Sequence, residues 1–293
     1  MTSHDVVYRL RRITGEQSIG HLGTLDPMAT GVLPLLMGKF TRLAQFFSTA
    51  EKSYAGAIRF GFATDTYDAD GEPAGRDCWQ QFANQISLER IRGASAARFH
   101  GEMQQMPPPF SAKKIAGQPA YKLARAGKPV ELKPATVTIG AFAIESMDGA
   151  EAVFSMEISA GGYVRSVAHE LGQELGCGAH LSRLRRTRAG PFTLADAHTL
   201  EELEALAGSK IAGSEVNVEA LEKVCVHPRA LLPEMPAVTG DPLALGRLRN
   251  GAQANLPDFS QAPLVKFFAG PRELAGIAKR IAGTLFQPVV VLG

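Results

Sequence analysis

The chain of 293 residues contains little cysteine and no long apolar run. Its three cysteines, Cys78, Cys177 and Cys225, lie far apart and form no CxxC pair, which argues against a disulfide framework and against a cysteine-based zinc site. No apolar run approaches the roughly 20 residues of a membrane-spanning helix, and the string MTSHDVVYRLRR at the start has no apolar signal-peptide core. We therefore expect a cytoplasmic protein with reduced thiols and no contact with a membrane.

The chain also lacks an excess of either charge. It has 31 Lys and Arg against 29 Asp and Glu, a net charge of +2, with 45% apolar and 20% charged residues. This composition is ordinary for a packed soluble protein and excludes a disordered chain. The length fits one large domain, or a large domain with a small one. A near-neutral total does not exclude nucleic-acid binding, because binding follows the local field and not the sum.

The charge is unevenly distributed along the chain. Residues 86–133 hold nine basic and three acidic residues, a net of +6, and residues 165–190 hold five arginines against two glutamates, a net of +3. Residues 62–77 have a net charge of −4 and residues 201–222 one of −5. Either a mixed solvated surface or a basic RNA-facing side with an acidic far side has this pattern. Charge alone does not separate the two.

Periodicity, capping residues and turn residues predict the elements. Helical spacing predicts helices at residues 2–12, 32–47 (where Pro34 limits the start), 87–99, 120–126, 164–175 and 200–206. Alternation predicts strands at residues 54–62, 135–144, 152–159, 264–268 and 288–292, with a hairpin across Asp148-Gly149. Residues 15–31 are predicted to form an ordered loop. The proline-rich texture after Pro228 predicts a domain boundary near residue 230.

The densest group of chemistry-bearing residues lies in the string GHLGTLDPMATG at residues 20–31. Glycine permits positive φ and close approach of another group, and Pro27 biases Asp26 towards an extended conformation. The loop therefore presents the carboxylate of Asp26 on a conformationally restricted backbone. The alternative is an ordinary turn in which Asp26 caps a helix that begins at Pro27.

Other chemistries lack their usual signatures. His21 and Asp26 are too few ligands for a zinc site, and the acidic run at residues 65–72 lacks the order of a calcium-binding EF-hand. The sequence contains no GxxxxGK[ST], no GxGxxG after a strand and no GxSxG, which are the signatures of nucleotide hydrolysis, dinucleotide redox chemistry and serine hydrolases. We expect neither a metal nor a cofactor.

Five strings carry a resemblance to a known family. They are GHLGTLDPMATG (20–31), KSY with GFATDT (52–66), PFSAKK (109–114), GGYVRS (161–166) and GCGAHLSRLRR (176–186). In this order they resemble the motifs of the TruB family of bacterial tRNA pseudouridine synthases. The resemblance implies an α/β (α+β) pseudouridine synthase fold, with a central mixed, mostly antiparallel sheet flanked by helices. It also implies a catalytic domain at 1–230, with an RNA-gripping insertion at about 100–133, and a small β-rich PUA-like RNA-binding domain at 231–293.

The same resemblance implies an activity. The protein would be an isomerase that converts uridine 55 in the T loop of tRNA to pseudouridine on a flipped-out base, without a cofactor. Its partner would be the T arm of tRNA, and we expect a monomer. Two rival functions remain: an RNA chaperone that folds tRNA without catalysis, and a carboxylate-based hydrolase that needs a second acid and releases free base.

The resemblance also implies roles for individual residues. Asp26 would be the nucleophile, and Arg165 would pair with it and favour its ionised form. Tyr54 would pack on the target base and take part in proton transfer, while Tyr163 and Leu184 would pack around the base. Without the family, Arg165 would be interpreted as a surface arginine and Tyr163 and Leu184 as core residues, while Tyr54 could be either a core residue or a stacking platform.

Further residues would contact the RNA. His21 would stack in the space that the displaced nucleotides vacate; the alternative is a solvent-exposed histidine. Phosphate contacts are expected from a basic set in the insertion, namely Lys113, Lys114, Lys122, Arg125 and Lys128. Arg185 and Arg186 would contact phosphates or form salt bridges.

The sequence departs from the family pattern at three places. Phe110 stands where the family usually has tyrosine, and Gly162 where it has threonine. A strand and an Asp-Lys-Pro-x-Gly segment usually precede the Met-Thr-Ser string, and we expect the sheet to have an exposed edge without them.

Overall fold

The structure is a computed structural model that describes residues 1–111, 114–115, 118–119, 132–208 and 216–292. The helix predicted at residues 120–126 lies outside the described residues. Within the described ranges, no helix is long and apolar enough to cross a membrane.

Both helices and strands are distributed along the whole described chain. The α-helices are α1 (Ser3–Thr14), α2 (Trp79–Phe82), α3 (Leu88–Arg98), α4 (Val164–Glu174), α5 (Leu200–Ala207), α6 (Val218–Lys223) and α7 (Pro242–Arg249). The 3-10 helices span Gly38–Phe47, Leu194–Asp196 and Pro228–Ala230. The strands are β1 (Ile19–His21), β2 (Thr30–Gly31), β3 (Leu35–Met37), β4 (Lys52–Phe60), β5 (Ala63–Thr64), β6 (Pro73–Ala74), β7 (Gly101–Gln105), β8 (Lys114–Ile115), β9 (Gln118–Pro119), β10 (Ala135–Asp148), β11 (Glu151–Ile158), β12 (Ala179–Ala189), β13 (Phe192–Thr193), β14 (Ala237–Thr239), β15 (Ala254–Asn255), β16 (Leu264–Ala269), β17 (Glu273–Ala282) and β18 (Leu285–Val291).

The first of two compact units comprises residues 1–3, 23–34 and 49–195. Its seven-stranded sheet has the order β13-β12-β4-β11-β10-β7, with β2 paired to β12 off this path. The pairing of β2 with β12 is parallel, and the other pairs of this sheet are antiparallel. The predicted fold class, a mixed and mostly antiparallel sheet with flanking helices, is confirmed.

The core of this unit follows the predicted alternation. Tyr54, Ile58 and Phe60 of β4 point into one apolar cluster, which α3 and α4 cover from their own apolar faces. The strand begins two residues earlier than predicted, and it ends at Phe60 because Gly61 takes a φ of +113°. The hairpin from β10 to β11 across Asp148 and Gly149 is confirmed, and so are the helices α3 and α4.

The second unit comprises residues 4–22, 35–48 and those from 196 onward. One small core joins α1 and α5 through Val7, Leu10 and Ala207, and Arg9 pairs with the carboxylates of Glu201 and Glu204. The confirmed helices here are α1 and α5.

The helix predicted at residues 32–47 is wrong. Residues 35–37 form β3, which pairs with β1, and a 3-10 helix follows over Gly38–Phe47. Pro34 limits where a helix can begin, since a proline lacks an N–H and biases the residue before it towards an extended backbone. The apolar spacing of this segment therefore belongs to a strand followed by a tight helix.

The C-terminal part of the second unit is rich in strands, as predicted. Its five-stranded sheet has the order β14-β16-β17-β18-β15, and a second apolar core contains Leu248 of α7 with Val265, Phe267 and Phe286 of the sheet. The domain boundary near residue 230 and the PUA-like RNA-binding role of this sheet stay predictions.

Candidate active site

The loop that carries Asp26 runs from Gly23 to β2 in the first unit. Gly23 and Gly31 take φ values of +123° and +98°, which favour glycine. A Cβ atom at Gly31 would lie 2.1 Å from the carbonyl oxygen of Arg186. The amide of Ala29 donates to the carbonyl of Asp26 at 2.9 Å, and β2 follows this turn. The alternative in which Asp26 caps a helix is therefore wrong.

Arg165 holds the carboxylate of Asp26 with two hydrogen bonds. Its Nη2 donates to Oδ1 at 2.7 Å and its Nε to Oδ2 at 3.0 Å. The guanidinium also donates to the carbonyls of Thr66 at 3.0 Å and Phe110 at 3.1 Å. The Arg165 side chain is 5% exposed and that of Asp26 25%. Arg165 is thus a buried partner of Asp26 and not a surface arginine.

Asp68 is a second carboxylate at the same guanidinium. Its Oδ2 lies 3.5 Å from Nε of Arg165, and its side chain is buried. The hydroxyl of Thr66 and the amide of Asp70 both donate to its Oδ1, at 2.6 and 3.1 Å. Sequence reasoning missed Asp68, because it tested the acidic run only as a calcium-binding loop. Its position just after the GFATDT string was the signal that could have found it.

Opposing influences act on the Asp26 carboxyl. Burial raises its pKa above the ordinary value, and the negative charge of Asp68 acts in the same direction. The charge and hydrogen bonds of Arg165 lower the pKa, as does the charge of Arg186, but burial outweighs them. Arg165 thus acts in the expected direction without setting the net shift. The carboxylate is poorly solvated, and the charges of Arg165 and Arg186 favour its ionised form against the effect of burial.

Tyr54 and Leu184 lie on adjacent strands of the central sheet. Both are buried, Tyr54 on β4 and Leu184 on β12, and in the β-ladder they lie opposite Arg186 and Gly56. Burial raises the pKa of Tyr54, the charge of Arg186 opposes this, and the charge of Asp26 adds to it. The structure therefore brings the Tyr54 phenol into the electrostatic neighbourhood of Asp26.

Tyr163 precedes α4 and is fixed through its main chain. The Gln105 side chain accepts from the Tyr163 amide at 2.8 Å and donates to the Tyr163 carbonyl at 3.0 Å. Burial raises the pKa of the Tyr163 phenol, which also interacts with Ser111, Arg165 and Asp26. Gln105 is buried at the end of β7, and the sequence contains no signal for its role.

The other predicted RNA contacts have different outcomes. His21 lies on β1 of the second unit, opposite Leu35 of β3, and its role stays a prediction. Lys114 lies on the short strand β8, but its side chain is outside the described residues. Four further residues lie wholly outside the described ranges: Lys113, Lys122, Arg125 and Lys128.

The two neighbouring arginines of β12 differ in exposure. Arg185 is exposed, whereas Arg186 is fully buried and donates to main-chain carbonyls. The phosphate contact and the salt bridge expected for Arg186 are therefore both wrong. Across the described ranges, no group of three or more His, Cys, Asp and Glu side chains is arranged to hold a metal ion.

Comparison with protein families and curated relatives covers nearly the whole chain. Residues 11–164 match the model of the TruB family pseudouridylate synthase (N terminal domain), and residues 165–226 match the tRNA pseudouridylate synthase B C-terminal domain. A tRNA pseudouridine synthase B of Solibacter usitatus is 40% identical over 294 residues, covering 99% of this chain and 96% of the relative. One of Aquifex aeolicus is 35% identical over 287 residues, covering 97% and 93%.

Solved structures with the same fold are also found. A chain in the crystal structure of a Cbf5-Nop10-Gar1 complex matches with a TM-score of 0.70 and 24% identity, over 100% of this chain and 82% of that chain. A chain of the archaeal box H/ACA sRNP Nop10-Cbf5 complex matches with a TM-score of 0.64 and 24% identity, over 100% and 83%. At this identity the likeness is one of fold alone.

Proposed function

The chain belongs to the TruB family of pseudouridylate synthases, and from this premise we propose that it converts uridine 55 in the T loop of tRNA to pseudouridine with Asp26 as the nucleophile. As a member of this family it is an isomerase that pseudouridylates tRNA. The same reasoning assigns it to the cytoplasm as a monomer that grips the T arm through its basic segments.

The reaction needs few protein groups. The C1′–N1 bond of the uridine breaks, the uracil turns, a C1′–C5 bond forms, and C5 loses a proton while N1 gains one. No electron or atom is gained or lost overall, so the reaction requires no oxidant and no cofactor. The Asp26 carboxylate supplies an electron pair to C1′ or to C6, or assists an elimination, and a nearby group moves the proton.

The paired but partly open carboxylate of Asp26 is the observation that supports this proposal most strongly. Arg165 occupies both oxygens from a buried position, while a quarter of the Asp26 side chain stays exposed. The carboxylate is therefore fixed on the protein side and open to a substrate on the other. Its poor solvation means that a bound base replaces little water at the reacting oxygen.

The buried side chains nearby suit a flipped base. Extruding a nucleotide costs a few kcal/mol of stacking and pairing, and stacking on an aromatic ring returns about 1–3 kcal/mol. Tyr54 offers such a ring, and its hydroxyl is the candidate for proton transfer at C5. Tyr163 and Leu184 would close the pocket, which retains the detached uracil.

Release of tritium from a tRNA transcript that carries [5-³H]uridine tests the proposal, because C5 loses its hydrogen only when the new bond forms. The wild-type protein should release the label, and a transcript with cytidine at position 55 should release none from that position. Asp26→Asn should be inactive, whereas Asp70→Asn, which changes an exposed acid of the first unit, should be active.

Each rival function predicts a different result. An RNA chaperone would bind the transcript without releasing tritium, whether or not Asp26 is replaced, and a hydrolase would release free uracil. A folded wild-type protein that releases no tritium would contradict the proposed reaction.

A further inference from the structure

Arg186 is a fully buried arginine whose side chain is bonded to the loop that carries Asp26. It is 0% exposed. Its Nη2 donates to the carbonyl of Gly23 at 3.1 Å and its Nη1 to that of Thr24 at 3.4 Å. Its Nε donates to the carbonyl of Val32 at 2.7 Å. One guanidinium thus holds the loop both before and after Asp26.

The main chain of Arg186 holds the same loop. Its carbonyl accepts from the amide of Val32 at 2.9 Å, and it pairs with Gly31 where β2 lies parallel to β12. The absence of a side chain at Gly31 permits this approach. The far end of the loop is therefore fixed by both the backbone and the side chain of one residue.

The position of Arg186 on β12 also brings it to Tyr54. The two residues are partners in the antiparallel register of β12 and β4. Side chains of directly opposite residues lie on the same face of the sheet, with Cβ atoms about 4.5–5.5 Å apart. A register shift between Arg186 and Arg188 marks an irregularity of the strand just after this pair. Such bulges redirect side chains next to functional sites.

The charge of Arg186 also requires an explanation. Burying a guanidinium costs several kcal/mol unless an opposite charge compensates it, and carbonyl oxygens supply only partial charges. The charge of Arg186 acts on Asp26, where it favours the ionised form. A neutral side chain of similar shape would avoid that cost, but it would leave the carbonyls of Gly23, Thr24 and Val32 without this donor.

We propose that Arg186 is a positioning residue for the isomerisation: from its place opposite Tyr54, its guanidinium fixes the Asp26 loop on both sides. This inference rests on the proposed role of Asp26 as the nucleophile. Arg165 orients the carboxylate itself, whereas Arg186 orients the backbone that carries it. A displacement of the reacting group by about 1 Å is enough to lower a rate about 100-fold.

Two variants separate the effect of the hydrogen bonds of Arg186 from the effect of its charge. Arg186→Lys keeps the charge but cannot reach three carbonyls with one ammonium, and Arg186→Met removes the charge as well. Arg183→Lys and Arg183→Met are the matched controls, because Arg183 lies on the same strand with its side chain 68% exposed. For each folded variant, the measurements are single-turnover tritium release from pH 4 to 8, the Kd for tRNA and the melting temperature.

We expect both Arg186 variants to bind tRNA with an unchanged Kd and to react at least about 10-fold more slowly, since the misplaced loop affects the chemical step. Only in Arg186→Met should the acidic limb of the rate also move to higher pH, since only that variant lacks the charge that favours ionised Asp26. The Arg183 variants should match the wild type in the single-turnover rate of the bound complex and in the position of the acidic limb.

A purely structural arginine would give a different pattern. Lower melting temperatures with a wild-type rate and an unmoved acidic limb would overturn the inference, and Arg186→Lys alone decides the matter if Arg186→Met does not fold. Asp26→Asn, measured in parallel, separates the two proposals. If Asp26→Asn is inactive while Arg186→Lys reacts at the wild-type rate, only the role of Arg186 fails; if Asp26→Asn is active, the proposed function fails.

Discussion

Arg165 and Asp26 meet through two parallel hydrogen bonds of 2.7 and 3.0 Å that connect helix α4 to a loop 139 residues away in the chain. The same guanidinium lies 3.5 Å from the buried carboxylate of Asp68. One cation therefore serves two acids, of which only Asp26 is partly exposed. This sharing makes the ionisation of Asp26 sensitive to both neighbours, and the acidic limb of the pH profile is the measurement that reports it.

Arg165→Lys is expected to slow the reaction by about 100-fold or more, because a lysine cannot form the two parallel hydrogen bonds of the guanidinium. It should also move the acidic limb of kcat/KM to higher pH. Burial already raises the pKa of Asp26, and Arg165 opposes that rise through its charge and hydrogen bonds. Weaker hydrogen bonding leaves the pKa higher, so ionised Asp26 is lost at a higher pH as the solution is acidified.

Arg98→Lys is the control for this prediction. Arg98 also forms two ion pairs with α4, through Glu170 and Glu174, but at an exposed position. Its replacement should leave the rate and the acidic limb in place. An Arg165→Lys protein with a wild-type limb would show that Asp26 does not set the acidic side of the profile.

Asp68→Asn is expected to move the acidic limb in the opposite direction. The negative charge of Asp68 raises the pKa of Asp26, so its removal stabilises ionised Asp26 and extends activity to lower pH. The maximal rate should nevertheless fall by roughly 10-fold, because Arg165 loses a buried partner that restrains it, an interaction of about 1.4 kcal/mol. Asp70→Asn removes a nearby exposed charge and should change neither quantity. An acidic limb that moves to higher pH in Asp68→Asn would contradict this electrostatic assignment.

Several elements were predictable from local patterns. The apolar alternation of β4, the glycine turn between β10 and β11 and the glycine stop after α4 each depend on residues close together in the chain. The Asp26 loop was identified because its glycines and proline are concentrated in one string. One local pattern gave a wrong prediction: the helical spacing at residues 32–47, which contain Pro34, belongs to β3 and a 3-10 helix.

Other parts of the site follow from contacts that no local pattern encodes. The partner of Asp26 is 139 residues away, that of Tyr163 is 58 away, and Arg186 reaches Gly23 across 163 residues. From the residues alone, Arg165 could equally have been a surface arginine, and only the family resemblance indicated its pairing. Asp68 and Gln105 escaped sequence reasoning, and Arg186 was assigned the wrong contacts, because single polar residues reveal their partners only when the sheet is assembled.

Gln105→Leu is expected to destabilise the fold by about 2–4 kcal/mol. The substitution leaves the amide of Tyr163 without its partner and its carbonyl with only the amide of Val167, at 3.3 Å, and each buried group that loses a hydrogen bond costs about 1–3 kcal/mol. Urea unfolding measures the free energy of unfolding directly. Gln104→Leu is the matched control on the adjacent residue, whose exposed amide donates to Thr136, and it should cost less than about 1 kcal/mol. Equal losses in the two variants would show that the Gln105 contacts add nothing.

Lys266→Met is expected to flatten the alkaline pH dependence of stability. Lys266 is 1% exposed, and its ammonium donates to the carbonyls of Arg229 and Leu231. Burial lowers its pKa, so between that lowered value and the unfolded value of about 10.4 the unfolded chain holds the extra proton.

The free energy of unfolding of the wild type therefore rises with pH through this window, by at most about 1.4 kcal/mol per pH unit from this group. It falls again as the pH is lowered and the lysine becomes protonated. Urea unfolding of the wild type and of Lys266→Met up to pH 10.5 gives the free energy of unfolding of each. As the pH rises, the value for the wild type should increase relative to that for Lys266→Met. Lys279→Met, at an exposed position of β17, should run parallel to the wild type, and a parallel curve for Lys266→Met would mean that the buried ammonium keeps an ordinary pKa.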